Sequence, residues 1–164
     1  MPSGMMIQGR WITNWNKQDQ SGKFEEIPTT FRERVTADGS SGFKVEAGRY
    51  HLYVSLGCPW AQRTLIIREL KGLNEAISAS IVEPIMSDQG WSFSNAQGAF
   101  PDWVNHAQYL QEIYLKANPK YTGRVTVPVL WDRQTQMIVN NESREIMRMF
   151  DVEFAVLATQ NIDL

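Results

Sequence analysis

Apolar and polar positions are most clearly ordered from residue 50 onward. Tyr50-His51-Leu52-Tyr53-Val54-Ser55-Leu56 is aromatic and β-branched and predicts a strand. Gly57-Cys58-Pro59 interrupts it, and 60–72 reads as a helix. Leu65, Ile66, Leu70 and Leu73 supply its apolar face, Pro59 suits the first turn and Gly72 marks the end. Over 77–86, Ile77, Ala79 and Ile81 alternate with Ser78 and Ser80, the pattern of a second strand. Strand, helix and strand make a right-handed βαβ unit. A polar and aromatic insertion over 87–123 follows, with a helix predicted over 103–117. A third strand, 125–131, is interrupted by Pro128. The turn 132–135 joins it to a fourth strand, 136–140, as an antiparallel hairpin. Ile146, Met149 and Phe150 have helical spacing and predict a last helix over 142–150.

This order is an α/β one, and a mixed four-stranded sheet covered by helices satisfies it. It is the thioredoxin-like arrangement, βαβ then ββα, with a long insertion before the third strand. Residues 1–49 read as an arm packed on that domain. Gly and Ser cluster at 38–42, and 24–31 and 43–45 read as short extended pieces. The domain itself spans 50–150. Residues 151–164 turn from apolar to polar and read as a linker toward a further, absent domain.

Composition narrows the function. Of 164 residues, 43% are apolar and 21% charged, the balance of a folded globular chain. The net charge of −2 supplies no basic footprint for nucleic acid. No apolar run approaches the roughly 20 residues of a membrane-spanning helix, and no secretory leader is expected. Cys58 is the only cysteine. An internal disulfide and a multi-cysteine zinc site are therefore excluded, and a reducing compartment, the cytoplasm, is expected. Six tryptophans fit either core filling or the lining of a groove.

Cys58 is the centre of the chemistry. It stands at a strand-to-helix turn, just before the proline of the first helical turn. A helix N-terminus presents free N–H groups and the positive end of the dipole, both of which favour negative charge on sulfur. The plain alternative is a small buried hydrophobe. In Cys58-Pro59-Trp60-Ala61, alanine stands where two-cysteine oxidoreductases carry their second thiol. A mixed disulfide on Cys58 therefore needs an external thiol for its resolution, and glutathione is the abundant one. Val127-Pro128 sits where thioredoxin-like folds place a cis proline, turning the Val127 N–H and C=O toward a bound peptide backbone. An ordinary trans proline on an edge strand is the alternative. Asn141 reads as a helix cap, which puts Glu142 and Ser143 in the first turn. Ser143 can bind a carboxylate there, and Glu142 can accept from an amino group. A solvated helix start would have the same composition.

Gly57-Cys58-Pro59-Trp60-Ala61, Asp88-Gln89-Gly90-Trp91, the run 124–132 and Ile138-Val139-Asn140-Asn141-Glu142-Ser143, in this order, resemble the glutathionyl-hydroquinone reductases, the Xi-class glutathione transferases. The resemblance covers most of the chain. It implies that Cys58 attacks the glutathionyl sulfur of a glutathionyl-hydroquinone, releases the hydroquinone and holds glutathione as a mixed disulfide, which a second glutathione resolves. It further implies that Trp91 lies over the tripeptide, that Arg124 and the backbone of Val125, Thr126 and Val127 hold its middle and carboxylate, and that Glu142 and Ser143 hold its γ-glutamyl end. Glutathione would be a co-substrate, glutathionylated aromatic small molecules the partners, and no metal, nucleic acid or membrane would be needed. Members of that family continue into an all-helical domain that builds much of the aromatic pocket, and this chain ends where that domain begins. Self-association through the face so left open is expected. A glutathione-binding module with little turnover is the competing reading. A conjugating transferase is a third, disfavoured because such enzymes usually carry a hydroxyl where Cys58 stands. His51 and His106 match no motif and are read as structural.

Overall fold

The computed structural model describes residues 4–13 and 29–163. Its elements are β1 (Gly4–Ile7), β2 (Arg10–Thr13), β3 (Val35–Thr36), β4 (Phe43–Lys44), β5 (Tyr50–Ser55), α1 (Pro59–Leu70), β6 (Ser78–Val82), α2 (Leu110–Ala117), β7 (Val129–Asp132), β8 (Met137–Asn140), α3 (Ser143–Val152) and a closing 3-10 turn, Glu153–Leu157. The main sheet has the order β6-β5-β7-β8. β5 runs parallel to β6, with His51 opposite Ser78, and antiparallel to β7, with Tyr50 opposite Asp132. The β7–β8 pair is antiparallel, so the mixed thioredoxin-like sheet expected from the pattern is the one formed.

β5 is buried along all six residues. Successive side chains of a strand point to opposite faces, so both faces must be covered. On one face Tyr50 meets Phe154 edge-on, with ring centroids 5.6 Å apart. On the other, Tyr53 meets Phe93 from the insertion at the same spacing. The insertion is therefore the second cover of the sheet. His51, on the same face as Tyr53, is buried with Nδ1 2.6 Å from Ser78 Oγ and Nε2 2.9 Å from Ser80 Oγ. The two serines that set the β6 alternation satisfy both ring nitrogens. Arg49 closes the other end of the strand: Nε and Nη2 donate to the buried Asp132 carboxylate at 2.9 and 2.7 Å. Burial alone would raise the Asp132 pKa, but the bonds from Arg49, Thr135 and Gln134 hold it below the ordinary carboxylate value.

Several boundaries differ from those the pattern suggested. α1 buries Ala61, Thr64, Ile67 and Arg68, whereas Ile66 and Leu70 are 54% and 42% exposed. Two polar residues lie on its buried face because each finds a partner. Thr64 Oγ1 donates to Ala61 O at 2.7 Å, and Arg68 Nε donates to Ile77 O at 2.6 Å. In the insertion only 110–117 is α-helical; 103–109 instead wraps the buried Asp102. Its carboxylate accepts from the N–H groups of Val104, Asn105 and Ala107 and from the Tyr53 hydroxyl, which holds the chain in turns. The second strand stops at Val82, before Pro84, and β7 starts at Val129 rather than at 125.

In the arm, β1 and β2 form a hairpin whose turn, Gln8-Gly9, takes positive φ at both residues, as a two-residue hairpin requires. Met6 exchanges both backbone hydrogen bonds with Gly123 at 2.9 Å, fixing the arm to the insertion. The extended piece expected over 24–31 lies mostly outside the described residues. The one over 43–45 is β4, paired parallel to β3. The segment read as a linker is docked through much of its length. α3 runs to Val152, Phe154 is fully buried, and Thr159 and Gln160 donate their N–H groups to Lys71 O.

Burial pushes the His51 pKa down to about 4, with the Asp102 carboxylate opposing that shift. A histidine kept neutral in the fold takes up its proton only on unfolding. Its stabilising contribution is complete above pH 6.5 and is lost as pH falls toward 4, at about 1.4 kcal/mol per pH unit. Urea titrations from pH 7 to 5 should lose about 2 kcal/mol from this source, and His51→Asn should flatten that acid limb. An equal slope in the variant would show that other groups set it.

Candidate active site

β5 ends at Ser55, and the chain reverses through Leu56 and Gly57 into α1. Cys58 is the N-cap residue, with extended backbone (φ −111°, ψ 112°), and Pro59 occupies the first helical position. The Cys58 carbonyl accepts from the N–H groups of Ala61 and Gln62, so the sulfur sits at the start of a regular first turn. The thiol is half-buried. The Val127-Pro128 bond is cis, and Val127 O lies 4.0 Å from Cys58 Sγ.

A cavity of about 420 Å³ opens beside this sulfur. Cys58 and Trp91 line it, as do Arg124, Val125, Thr126 and Val127. Glu142 and Ser143 complete the wall, so all eight site residues expected from the sequence converge there. Trp91 comes from the insertion, 124–127 from the approach to β7, and 142–143 from the start of α3. Asn141 is not the cap of α3. Glu142 is: its Oε1 accepts from Arg144 N at 3.3 Å, while its own N–H donates to Asn140 Oδ1. Asn141 instead turns its Nδ2 to the Tyr114 hydroxyl at 3.1 Å. Ser143 is therefore the first helical residue.

Arg63 is the residue the sequence reading missed. Its guanidinium lies 4.7 Å from the Trp60 ring centroid, donates from Nε to Ser143 Oγ at 3.0 Å and comes within 4.0 Å of the Glu142 carboxylate. Residues three apart on a helix share a face, so the Trp60–Arg63 spacing one turn beyond Cys58 was the available signal. Because Ser143 Oγ accepts from Arg63, its own proton is left for an acceptor in the cavity. The arrangement thus joins a half-buried thiol, an extended backbone edge and a paired cation and carboxylate, groups complementary to a zwitterionic peptide thiol. Among the described residues, no three His, Cys, Asp or Glu side chains gather as metal ligands, and no helix is long and apolar enough to cross a membrane.

Residues 57–153 match the family described as the glutathione S-transferase N-terminal domain. The chain belongs to the glutathione S-transferase family. It is 47% identical over 165 residues to the glutathionyl-hydroquinone reductase YqjG of Escherichia coli K12, covering 96% of this chain and 50% of that protein. Among solved structures, the Xi-class transferase from Natrialba magadii shares 50% identity with a TM-score of 0.89, over 99% of this chain and 48% of the other. The glutathione-bound structure of YqjG gives 44% identity and a TM-score of 0.82, over 98% and 49% of the two chains. The chain spans about half the length of the curated relatives it matches.

The accessibility of this thiol is directly measurable. A small neutral alkylating reagent should label the native chain once, at Cys58, without denaturant, and intact-mass analysis with peptide mapping reads it. Labelling only after unfolding would mean that the sulfur is closed off.

Proposed function

We propose that this chain carries the glutathione site and the reactive thiol of a cytoplasmic, glutathione-dependent thiol reductase acting on glutathionyl-hydroquinones. The observation that carries the reading is the seating of Cys58 Sγ beside Val127 O in the cavity that Glu142 and Ser143 also line. Cys58 sulfur attacks the glutathionyl sulfur. The sulfur–sulfur bond forms as the aryl carbon–sulfur bond breaks, and its electron pair goes to the ring, which takes up a proton as free hydroquinone. A second glutathione thiolate then attacks the mixed disulfide, giving oxidised glutathione and regenerating Cys58. Overall the hydroquinone conjugate is reduced and two glutathione units are oxidised to one disulfide. Ala61, in place of a second cysteine, makes that external thiol necessary.

Each contact has a chemical reason. Val127 pairs with the tripeptide backbone as a strand would. Glu142 accepts from the γ-glutamyl ammonium, and the Ser143 hydroxyl and N–H donate to its carboxylate at the start of α3. Arg63 adds positive charge beside that carboxylate. Trp91 covers the peptide, and Arg124 faces its glycyl end. The naming of YqjG relatives as glutathionyl-hydroquinone reductases, and a glutathione-bound structure among them, support the same reading.

A binding module with little turnover is the second reading. It is favoured by apolar side chains left open on α1 and after α3, where Val156 is 73% exposed. Such surface also favours self-association of the 164-residue chain.

Oxidised glutathione should convert Cys58 to a single glutathionyl adduct, seen by intact mass and absent in Cys58→Ser. Turnover of a glutathionyl-hydroquinone would establish the reductase; an adduct without turnover would establish the module. No adduct would remove both. Glu142→Gln and Ser143→Ala should each raise the KM for glutathione by roughly tenfold, the loss of one charge-assisted hydrogen bond, with kcat kept near wild type. A loss of kcat at unchanged KM would move these residues out of the binding role.

A further inference from the structure

The insertion covers the sheet, but it also carries two tyrosines whose hydroxyls are spent on the backbone of the site. Tyr114, on α2, is fully buried. Its hydroxyl donates to Thr126 O at 2.8 Å and accepts from Thr126 N at 3.2 Å and from Asn141 Nδ2 at 3.1 Å. A phenol has one proton and two lone pairs, so these three bonds exhaust it. Tyr121 donates to Arg124 O at 2.7 Å. Phe31 packs against both rings, whose centroids lie 5.0 Å apart. Burial pushes both phenols upward in pKa, which keeps their protons in place as donors.

The geometry of the held segment gives these bonds a direction. Residues 124–127 precede β7 and take no part in the β5–β7 ladder, whose register begins at Val129. Side-chain burial nonetheless alternates along them: Val125 and Val127 are buried, Arg124 is exposed and Thr126 is half-buried. That is the period of extended chain. In extended chain the N–H and C=O of one residue point to one edge and those of the next to the other. The carbonyls of 124 and 126 and the N–H of 126 face the tyrosines. The carbonyl of Val127 faces Cys58 Sγ.

We infer that Tyr114 is a positioning residue of the glutathione site: its hydroxyl stands in for a neighbouring strand, saturating the Thr126 edge so that the opposite edge, at Val127, is presented to the tripeptide backbone. This rests on the glutathione reading of the cavity. Tyr121 steadies the same edge two residues earlier. Without the Tyr114 hydroxyl, Thr126 and Asn141 lose their partners, and the segment rotates to recover them at the expense of Val127.

Tyr114→Phe should weaken glutathione binding, measured by calorimetry, by about tenfold or more, the worth of a hydrogen bond or two. Its rate of Cys58 alkylation by neutral iodoacetamide, which needs no backbone pairing, should stay within about twofold of wild type, since a 1.4 kcal/mol change would be tenfold. Phe154→Leu, on the other face of the sheet, serves as a control for lost stability alone and should bind as wild type does. Amide exchange needs no variant: in the free chain the Thr126 N–H should be protected and the Val127 N–H open, and glutathione should protect Val127. Wild-type affinity in Tyr114→Phe, an equal loss in Phe154→Leu, or an unprotected Thr126 would overturn the assignment. Absence of glutathione binding in the wild type would instead remove the reading of the cavity, with Thr126 exchange still deciding whether Tyr114 holds that edge.

Discussion

The burial of β5 on both faces is the constraint from which the site follows. Its six residues pack against the α1 and α3 side through Tyr50 and Phe154, and against the insertion through Tyr53 and Phe93. A strand held this way cannot slip by one residue without exchanging its two faces. Its end at Ser55 is therefore fixed, and with it the place where Cys58 begins α1. The antiparallel pairing with β7 fixes the other side, because the chain enters β7 through Val127-Pro128. The Cys58 thiol and the Val127 edge meet because they approach the same central strand from its two neighbouring connections.

Polar groups complete what apolar packing begins. Arg49 and Asp132 join the start of β5 to the end of β7 by a bidentate pair. His51 fills both its ring nitrogens from two serines of β6. Asp102 gathers three N–H groups and a phenol, which lets 103–109 lie over the sheet without being helical. These are buried polar groups with partners, and such groups specify one arrangement where an apolar cover would tolerate several.

The order of elements was legible because most strands and helices carry their own period. The start of α1 was legible because Pro59 suits a first helical turn, and the start of α3 was legible to within one residue, the cap being Glu142 rather than Asn141. What misled were places where a polar side chain replaces an expected apolar or backbone partner. Thr64 and Arg68 lie on the buried face of α1, so the more hydrophobic Ile66 and Leu70 drew the face to the wrong side. The helix predicted over 103–117 lost its first half to Asp102. Strand character at 125–128 was real in the backbone, but its partner is a side-chain hydroxyl, which periodicity does not register. Arg63 escaped because its spacing from Trp60 is one that many helix faces share, and its bond to Ser143 crosses between two helices, which no spacing along one of them registers.

Ala61 has a further consequence for folding. A two-cysteine site closes a loop on oxidation and so removes freedom from the unfolded chain, the usual route by which a disulfide raises stability. With Cys58 alone, any disulfide joins this chain to another molecule. The unfolded ensemble then gains a passenger and loses almost no entropy. Oxidation can stabilise the fold only as far as the attached group finds contacts in the cavity that the unfolded chain does not offer it. The melting temperature of each mixed disulfide is in effect a reading of how well its other half fits.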